Sequence, residues 1–239
     1  MKSIKTLALV TGLMAISGVS QAQFSSTWTL VSDYDFRGFS QSGKDPALQG
    51  SADYAFGDSG FAVGAWASNV DWGVEDEIEL DLYLNYTGKI NDSFAWTTGA
   101  TWYDYPDGDD LDGFFEVYVG FNAGNFSMKQ WYADDYVALG ESALYTEGNY
   151  TAPINDKVSL AFHVGYAWGD YWDALGDSVG TNGDTFDFAA QVNVTAGHFT
   201  IFGKITGTDS SGPLKIEGDI GNNEARGLIG VMTTFPWGD

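Results

Sequence analysis

Period-two alternation of apolar and polar residues, repeated in segments of about ten residues, limits this chain to folds built from strands with one apolar and one wet face. Residues 78–86 read IELDLYLNY. Ile78, Leu80, Leu82, Leu84 and Tyr86 share one face; Glu79, Asp81, Tyr83 and Asn85 share the other. Residues 158–168, VSLAFHVGYAW, set Val158, Leu160, Phe162, Val164, Tyr166 and Trp168 opposite Ser159, Ala161, His163, Gly165 and Ala167. Residues 186–194, FDFAAQVNV, repeat the pattern. Extending from these anchors predicts twelve strands, at about residues 26–37, 47–56, 61–70, 78–86, 94–105, 113–122, 126–133, 143–152, 158–168, 185–195, 199–206 and 224–235. Strands three and seven alternate least well. Trp66 and Phe61 fall on opposite faces, and Gln130 interrupts Phe126, Met128 and Tyr132.

The connections alternate too. Those at 57–60, 87–93, 123–125, 153–157 and 196–198 are short. Those at 38–46, 71–77, 106–112, 134–142, 169–184 and 207–223 are mostly longer, and they hold more than half of the 33 acids. Only Asp58, Asp92 and Asp156 fall in the short set. A barrel in an outer membrane has this asymmetry, with short periplasmic turns and long outer loops. Aromatic residues recur near strand ends: Trp28, Phe36, Tyr54, Phe56, Phe94, Trp102, Phe115, Phe121, Tyr166 and Trp168. They suit the two interfacial girdles of such a barrel, where a ring has one apolar and one wet side.

Residues 1–22, MKSIKTLALVTGLMAISGVSQA, have a basic start, a short apolar run and small residues before Gln23. They read as a secretory signal peptide, leaving residues 23–239 as a single barrel domain. The formal net charge of the whole chain is −23. Such a surface argues against nucleic acid as a partner, because nucleic acid needs positive charge. There is no cysteine, which excludes disulfides, thiolate metal sites and a cysteine nucleophile.

The wet faces collect Asp33, Asp35, Arg37, Asp53, Glu79, Asp81, Glu116, Lys129, Glu147, His163, Asp187, Gln191, Asn193, Lys204 and Arg226. In a dry core each unpaired charge would cost several kcal/mol; in a water-filled lumen that cost largely disappears. A sheet spanning lipid must also close, because lipid cannot satisfy its edge N–H and C=O groups. The expected fold is therefore all-β: a closed antiparallel transmembrane barrel of twelve strands. Its first strand should present Asp33, Asp35 and Arg37 to the lumen, with Tyr34 and Phe36 toward lipid. Arg37 is expected to pair with Asp35 or Asp53, or else to sit at a constriction.

The stretch SDYDFRGFSQSGKDPALQGSADYAF, followed by GFAVGAWASNV and ELDLYLNYTG, resembles the TorF-type porin family of proteobacterial outer membranes, also known as Gcw-chp. The resemblance is densest over residues 31–105 and implies an outer-membrane porin without catalytic residues. The last strand, RGLIGVMTTF, looks like the signal read by the barrel assembly machinery, although Pro236 to Asp239 extend past the aromatic.

The lumenal acids predict a channel for small hydrophilic solutes with a preference for cations. A plugged structural or adhesive barrel is the alternative, because Tyr83, Phe114, Tyr118, Trp131 and Tyr145 all point inward and would narrow the bore. An enzyme has little support: His163 sits mid-strand and His198 in a short turn, away from the outer rim. No cofactor or resident metal is expected. The acids of PDGDDLDG, residues 106–113, lack calcium-loop spacing and read as solvated loop acids.

Overall fold

The computed structural model describes residues 23–75, 77–108, 111–179, 183–209 and 225–237. Residues 1–22, where a signal peptide was expected, and most of the last long connection lie outside them. Twelve strands form the wall: β1 Gln23–Val31, β2 Ala47–Ala55, β3 Phe61–Asn69, β4 Ile78–Asn91, β5 Phe94–Asp104 and β6 Phe114–Ala123, then β7 Phe126–Ala133, β8 Ala143–Pro153, β9 Val158–Trp168, β10 Thr185–Ala196, β11 Phe199–Thr208 and β12 Arg226–Phe235. Each pairs antiparallel with its sequence neighbour. β1 also pairs with β12, from Ser26 opposite Phe235 to Val31 opposite Gly230, so the sheet is a closed barrel. The two poorly alternating strands, β3 and β7, take their places in it. No helix among the described residues is long and apolar enough to cross a membrane.

The barrel is apolar outside and polar inside. Leu82, Leu84, Val119, Phe162, Val164, Ile201 and Ile229 are exposed on the outer wall. On the inner face of the same wall Asp81, Glu116, Asp187 and Thr206 are buried. An outer wall of this kind is stable against hydrocarbon and costly against water. Near the short-turn end, the outer rings of Phe61, Tyr86 and Trp96 run in contact across β3–β5, with centroids 4.7 and 5.0 Å apart. Phe94, Phe121 and Phe126 continue the belt. Trp102, Phe115, Tyr132, Tyr166 and Trp168 stand exposed toward the other end.

Three expectations are corrected. The first strand ends at Val31, not at 37. From Ser32 the chain turns into the barrel, and Asp35–Phe36 pairs with Phe39–Ser40 in a small inward hairpin. Tyr34 is therefore buried inside the barrel, and Phe36 packs there against the Tyr103 ring, instead of both facing lipid. The fourth strand continues past 86 to Asn91, leaving Asp92 and Ser93 as its turn. The long connection after β9 contains an α-helix, α1 Asp170–Val179, where only a loop was expected. Trp172 of α1 is buried over the barrel mouth and stacks against Phe39, with centroids 6.3 Å apart.

Leu82 stands on the outer wall of β4 between two inward residues, Asp81 and Tyr83. Leu82→Arg should destabilise the barrel by about 2–4 kcal/mol if the site lies near the bilayer midplane, read by denaturant unfolding from lipid vesicles. Unchanged stability would mean that this face does not meet lipid.

Candidate functional site: the charged lumen

The inward segment 32–46 crosses the lumen and is anchored on three sides. Arg37 reaches β6, where its guanidinium donates two parallel bonds to Glu116, at 3.0 and 2.7 Å. The Tyr103 hydroxyl donates to the same carboxylate at 3.0 Å. The guanidinium also lies 4.2 Å from the centroid of the Tyr145 ring and 4.7 Å from that of Phe36. Burial alone would lower the pKa of Arg37, but the Glu116 carboxylate outweighs it and holds the group charged. Arg37 thus pairs with neither Asp35 nor Asp53, because the turn at Ser32 carries it off the wall and across the bore.

On the opposite wall, Arg226 of β12 bridges Asp33 and Asp35. Lys204 of β11 binds Asp35 at 2.6 Å, and Thr206 donates to it at 3.0 Å. Ser40 donates to Asp33 at 2.6 Å. Burial pushes the Asp33 carboxyl up, opposed by the Ser40 hydrogen bond and by Arg226. Two left-handed residues make the inward turn of this path, Arg37 at φ 51° and Gly38 at φ 84°, and Gly43 and Lys44 are left-handed further along it, at φ 61° and 68°. A Cβ on Gly38 would lie 2.8 Å from that of Asp187, so only glycine lets the segment lie this close to the wall.

A second network spans β7 to β10. Trp131 donates its indole N–H to Glu147 at 2.8 Å, and Asn149 donates to the other oxygen at 2.9 Å. Lys129 sits opposite Glu147 in the register, with its ammonium 4.5 Å from the Tyr118 ring. His163 Nε2 lies 2.8 Å from Asp187 and 2.9 Å from the Tyr145 hydroxyl, while Nδ1 lies 2.7 Å from Asn149 Oδ1. Gln191 and Asn193 continue the polar wall below, with Asn193 donating to Ser159.

The β2–β5 wall is built differently. Asp53 accepts from the Tyr83 and Ser51 hydroxyls. Glu79 accepts from the Tyr34 hydroxyl at 3.1 Å. Glu79 and Asp81 form no ion pair with a basic side chain among the described residues. Asp81 Oδ1 and the Thr101 hydroxyl are the two buried side-chain polar atoms there without a hydrogen-bond partner.

All twelve charged residues expected to line the lumen are on its inner side, but they do not form one ladder. Asp33, Asp35, Lys204 and Arg226 meet at one side and Arg37 and Glu116 across from them. Lys129, Glu147 and Asp187 join His163. Glu79 and Asp81 stand apart, and Asp53 lies nearer the short-turn end. Between them is a narrow cavity of about 150 Å³, room for about five waters. Above it the bore is filled by an aromatic cluster that includes Tyr103, Tyr105, Phe114, Tyr136, Tyr145 and Trp172. Alternation alone did not single out Tyr34 and Trp66 as lumenal partners. The turn residues Ser32 and Gly38, bracketing Asp33–Arg37, were the available signal for the first. Of the acids of residues 106–113, Asp107 accepts from the backbone N–H groups of Glu77 and Ile78, and Asp109 and Asp110 lie outside the described residues.

A closed twelve-stranded barrel with an apolar exterior and a charged bore has the porin fold. Two solved structures of that fold superpose along almost their whole length. "KdgM porin" matches with a TM-score of 0.56 at 10% identity, over 89% of this chain and 99% of that one. "NanC porin" matches with a TM-score of 0.57 at 11% identity, over 90% and 100%. The Gcw_chp family model, described as "Bacterial protein of unknown function", matches residues 15–214, and the chain belongs to that family. No curated protein matches the sequence.

Arg37→Ala should cost about 3–5 kcal/mol, because it strands the buried Glu116 carboxylate. Arg37→Met with Glu116→Leu should recover most of that loss. Denaturant titration of the three variants checks this; a single variant as stable as the parent would show that the pair does not anchor the segment.

Proposed function

We propose that this chain is an outer-membrane channel of the TorF type, exported by the segment 1–22, through which small hydrophilic solutes diffuse with a preference for cations. Its short turns face the periplasm and its acidic loops face outward. The observation that carries this reading is the charged cavity enclosed by a closed barrel with an apolar exterior. The cation preference rests on Asp53, Glu79 and Asp81, which form no ion pair with a basic side chain among the described residues, while Asp33, Asp35 and Glu116 are each paired. Acids of this kind raise the local concentration of cations.

The structure of "KdgM porin in complex with disordered oligogalacturonate" concerns an acidic sugar chain. The lumen here is a poor match for such a solute, because nearly all of its cations already hold carboxylates. A plugged barrel is the second reading, favoured by the inward segment 32–46 and the aromatic cluster above it. A hydrolytic reading has less support, since both ring nitrogens of His163 are engaged by wall residues.

Planar-bilayer recording of the purified protein in a salt gradient tests the channel. Discrete current steps with a cation-selective reversal potential are expected. No steps would favour the plugged barrel, and anion preference would overturn the selectivity. Glu79→Gln with Asp81→Asn should move the reversal potential toward zero; an unchanged value would remove those residues from the filter. Arg37→Ala should raise the conductance by releasing the segment from β6, and an unchanged conductance would place the constriction elsewhere.

A further inference from the structure

Glu79 and Asp81 lie two residues apart on the inner face of β4, only 3% and 7% exposed. Their carboxyl groups are hydrogen-bonded to each other. An ionised carboxylate only accepts, so this bond exists only if one of the two groups carries a proton. The surroundings supply no other compensation. No lysine, arginine or histidine among the described residues forms an ion pair with either acid. The ionisable groups that face them are Tyr34 of the inward segment, Tyr83 of β4 itself, Tyr103 of β5, Tyr105 just beyond it, and Glu116 of β6. On the other side β3 presents Trp66 and Ser68. The facing groups are thus phenols and one further acid, and that acid has its own cation in Arg37. Two charges side by side in such a place repel strongly, and a shared proton removes the repulsion. The hydrogen bonds also say which group holds it. Glu79 accepts from the Tyr34 hydroxyl at 3.1 Å, a bond that favours its charged form. Asp81 Oδ1 is buried, and no N–H or O–H group of the described residues donates to it. That position costs a neutral acid far less than a carboxylate.

We propose that Glu79 and Asp81 hold one proton between them, on Asp81, and that this proton makes the selectivity of the lumen depend on pH. With the proton bound, the β4 wall shows one negative charge. As the pH rises, the proton passes from Asp81 to lumenal water, and the wall shows two. Asp81 lines the lumenal cavity, so its charge acts directly on an ion there. Glu79 is then the constant part of the filter and Asp81 the part that titrates. The effect on selectivity deepens the cation-channel reading and rests on it, whereas the shared proton stands without it.

Infrared spectroscopy of the full barrel, in a maltoside detergent that has no carbonyl of its own, tests the proton directly. At near-neutral pH solvated acids are ionised, so the C=O stretch of a protonated carboxyl stands apart from their bands. Such a band is expected in the parent, to be lost at alkaline pH and lost in Asp81→Asn. That variant keeps a donor toward Glu79 and loses the titrating group. Glu79→Gln, which removes the repulsion and should also abolish the band, replaces it if Asp81→Asn fails the heat-modifiable gel shift that reports a folded barrel. No band in the parent, or an undiminished band in the folded variant, overturns the proposal. Bilayer recordings in a salt gradient, at neutral and at alkaline pH, test the consequence. The cation-to-anion permeability ratio of the parent should rise about twofold or more between them, and that of the variant should stay level. No rise in the parent, or an equal rise in the variant, overturns the effect on selectivity. The two measurements also separate the readings. The band without any current overturns the channel and leaves the shared proton. Cation-selective current without the band overturns the proton and leaves the channel.

Discussion

The ladder between β1 and β12 is the constraint from which the rest follows. A sheet with an apolar outer wall can stand in lipid only if no edge N–H or C=O is left open. Pairing Ser26–Val31 with Gly230–Phe235 removes the last edge. Once closed, the sheet has an inside, and that inside holds every polar residue that the alternation puts there. Eight strands would leave a bore just wide enough for side chains to fill, but twelve leave space that must be occupied by water, loops or solute.

The chain fills part of that space with its own first loop. Segment 32–46 hangs from β1 and is tied to β6 through Arg37, to β11 and β12 through Asp33 and Asp35, and to β4 through Tyr34. These ties join residues on opposite walls, so the loop braces the bore across its width. Buried ion pairs of this kind add little net stability over apolar packing, but breaking one is expensive, which makes them good at specifying a single arrangement. The rings of Phe36, Phe39, Tyr136 and Trp172 then close over the loop, and their contacts are apolar packing of the ordinary kind. Polar ties hold the loop below and aromatic packing holds it above.

Closure and inner polarity were legible because they follow from period two, which any regular strand displays. Glu79, Asp81, Glu116, Glu147, Asp187 and Lys204 fall on the predicted face since each sits within such a strand. Asp33, Asp35 and Arg37 were predicted on the right side of the barrel for the wrong reason. Their alternation with Tyr34 and Phe36 continues that of β1, and a short hairpin folded inward has the same period as a strand. What distinguishes the two is the left-handed backbone at Arg37 and Gly38, of which only the glycine is visible in sequence. The partner of Arg37 was not legible at all: Glu116 lies 79 positions away, and the pairing depends on how far the loop reaches across a bore whose width the whole strand count sets. Helix α1 was hidden by its acids, since 170–179 reads as one more charged loop unless Tyr171, Trp172 and Leu175 are seen to share an inward face.

The lumen's own cations show what its rings and carboxylates are able to do. Arg37 is held by Glu116 in front and by Tyr145 and Phe36 on its faces. Lys129 lies over Tyr118 and Trp131, with Glu147 beside it. In both places a positive charge is kept inside the barrel by a carboxylate together with aromatic faces, and neither would suffice alone at that depth. The wall at Asp81 also sets acids beside the rings of Trp66, Tyr103 and Tyr34, but there Asp81 and Glu79 hydrogen-bond each other, and no lysine or arginine among the described residues forms an ion pair with either. The difference between the walls is therefore one of charge supply, not of architecture: one side of the bore is balanced by basic side chains, and the β4 side by a tyrosine hydroxyl and a hydrogen bond between its own two acids.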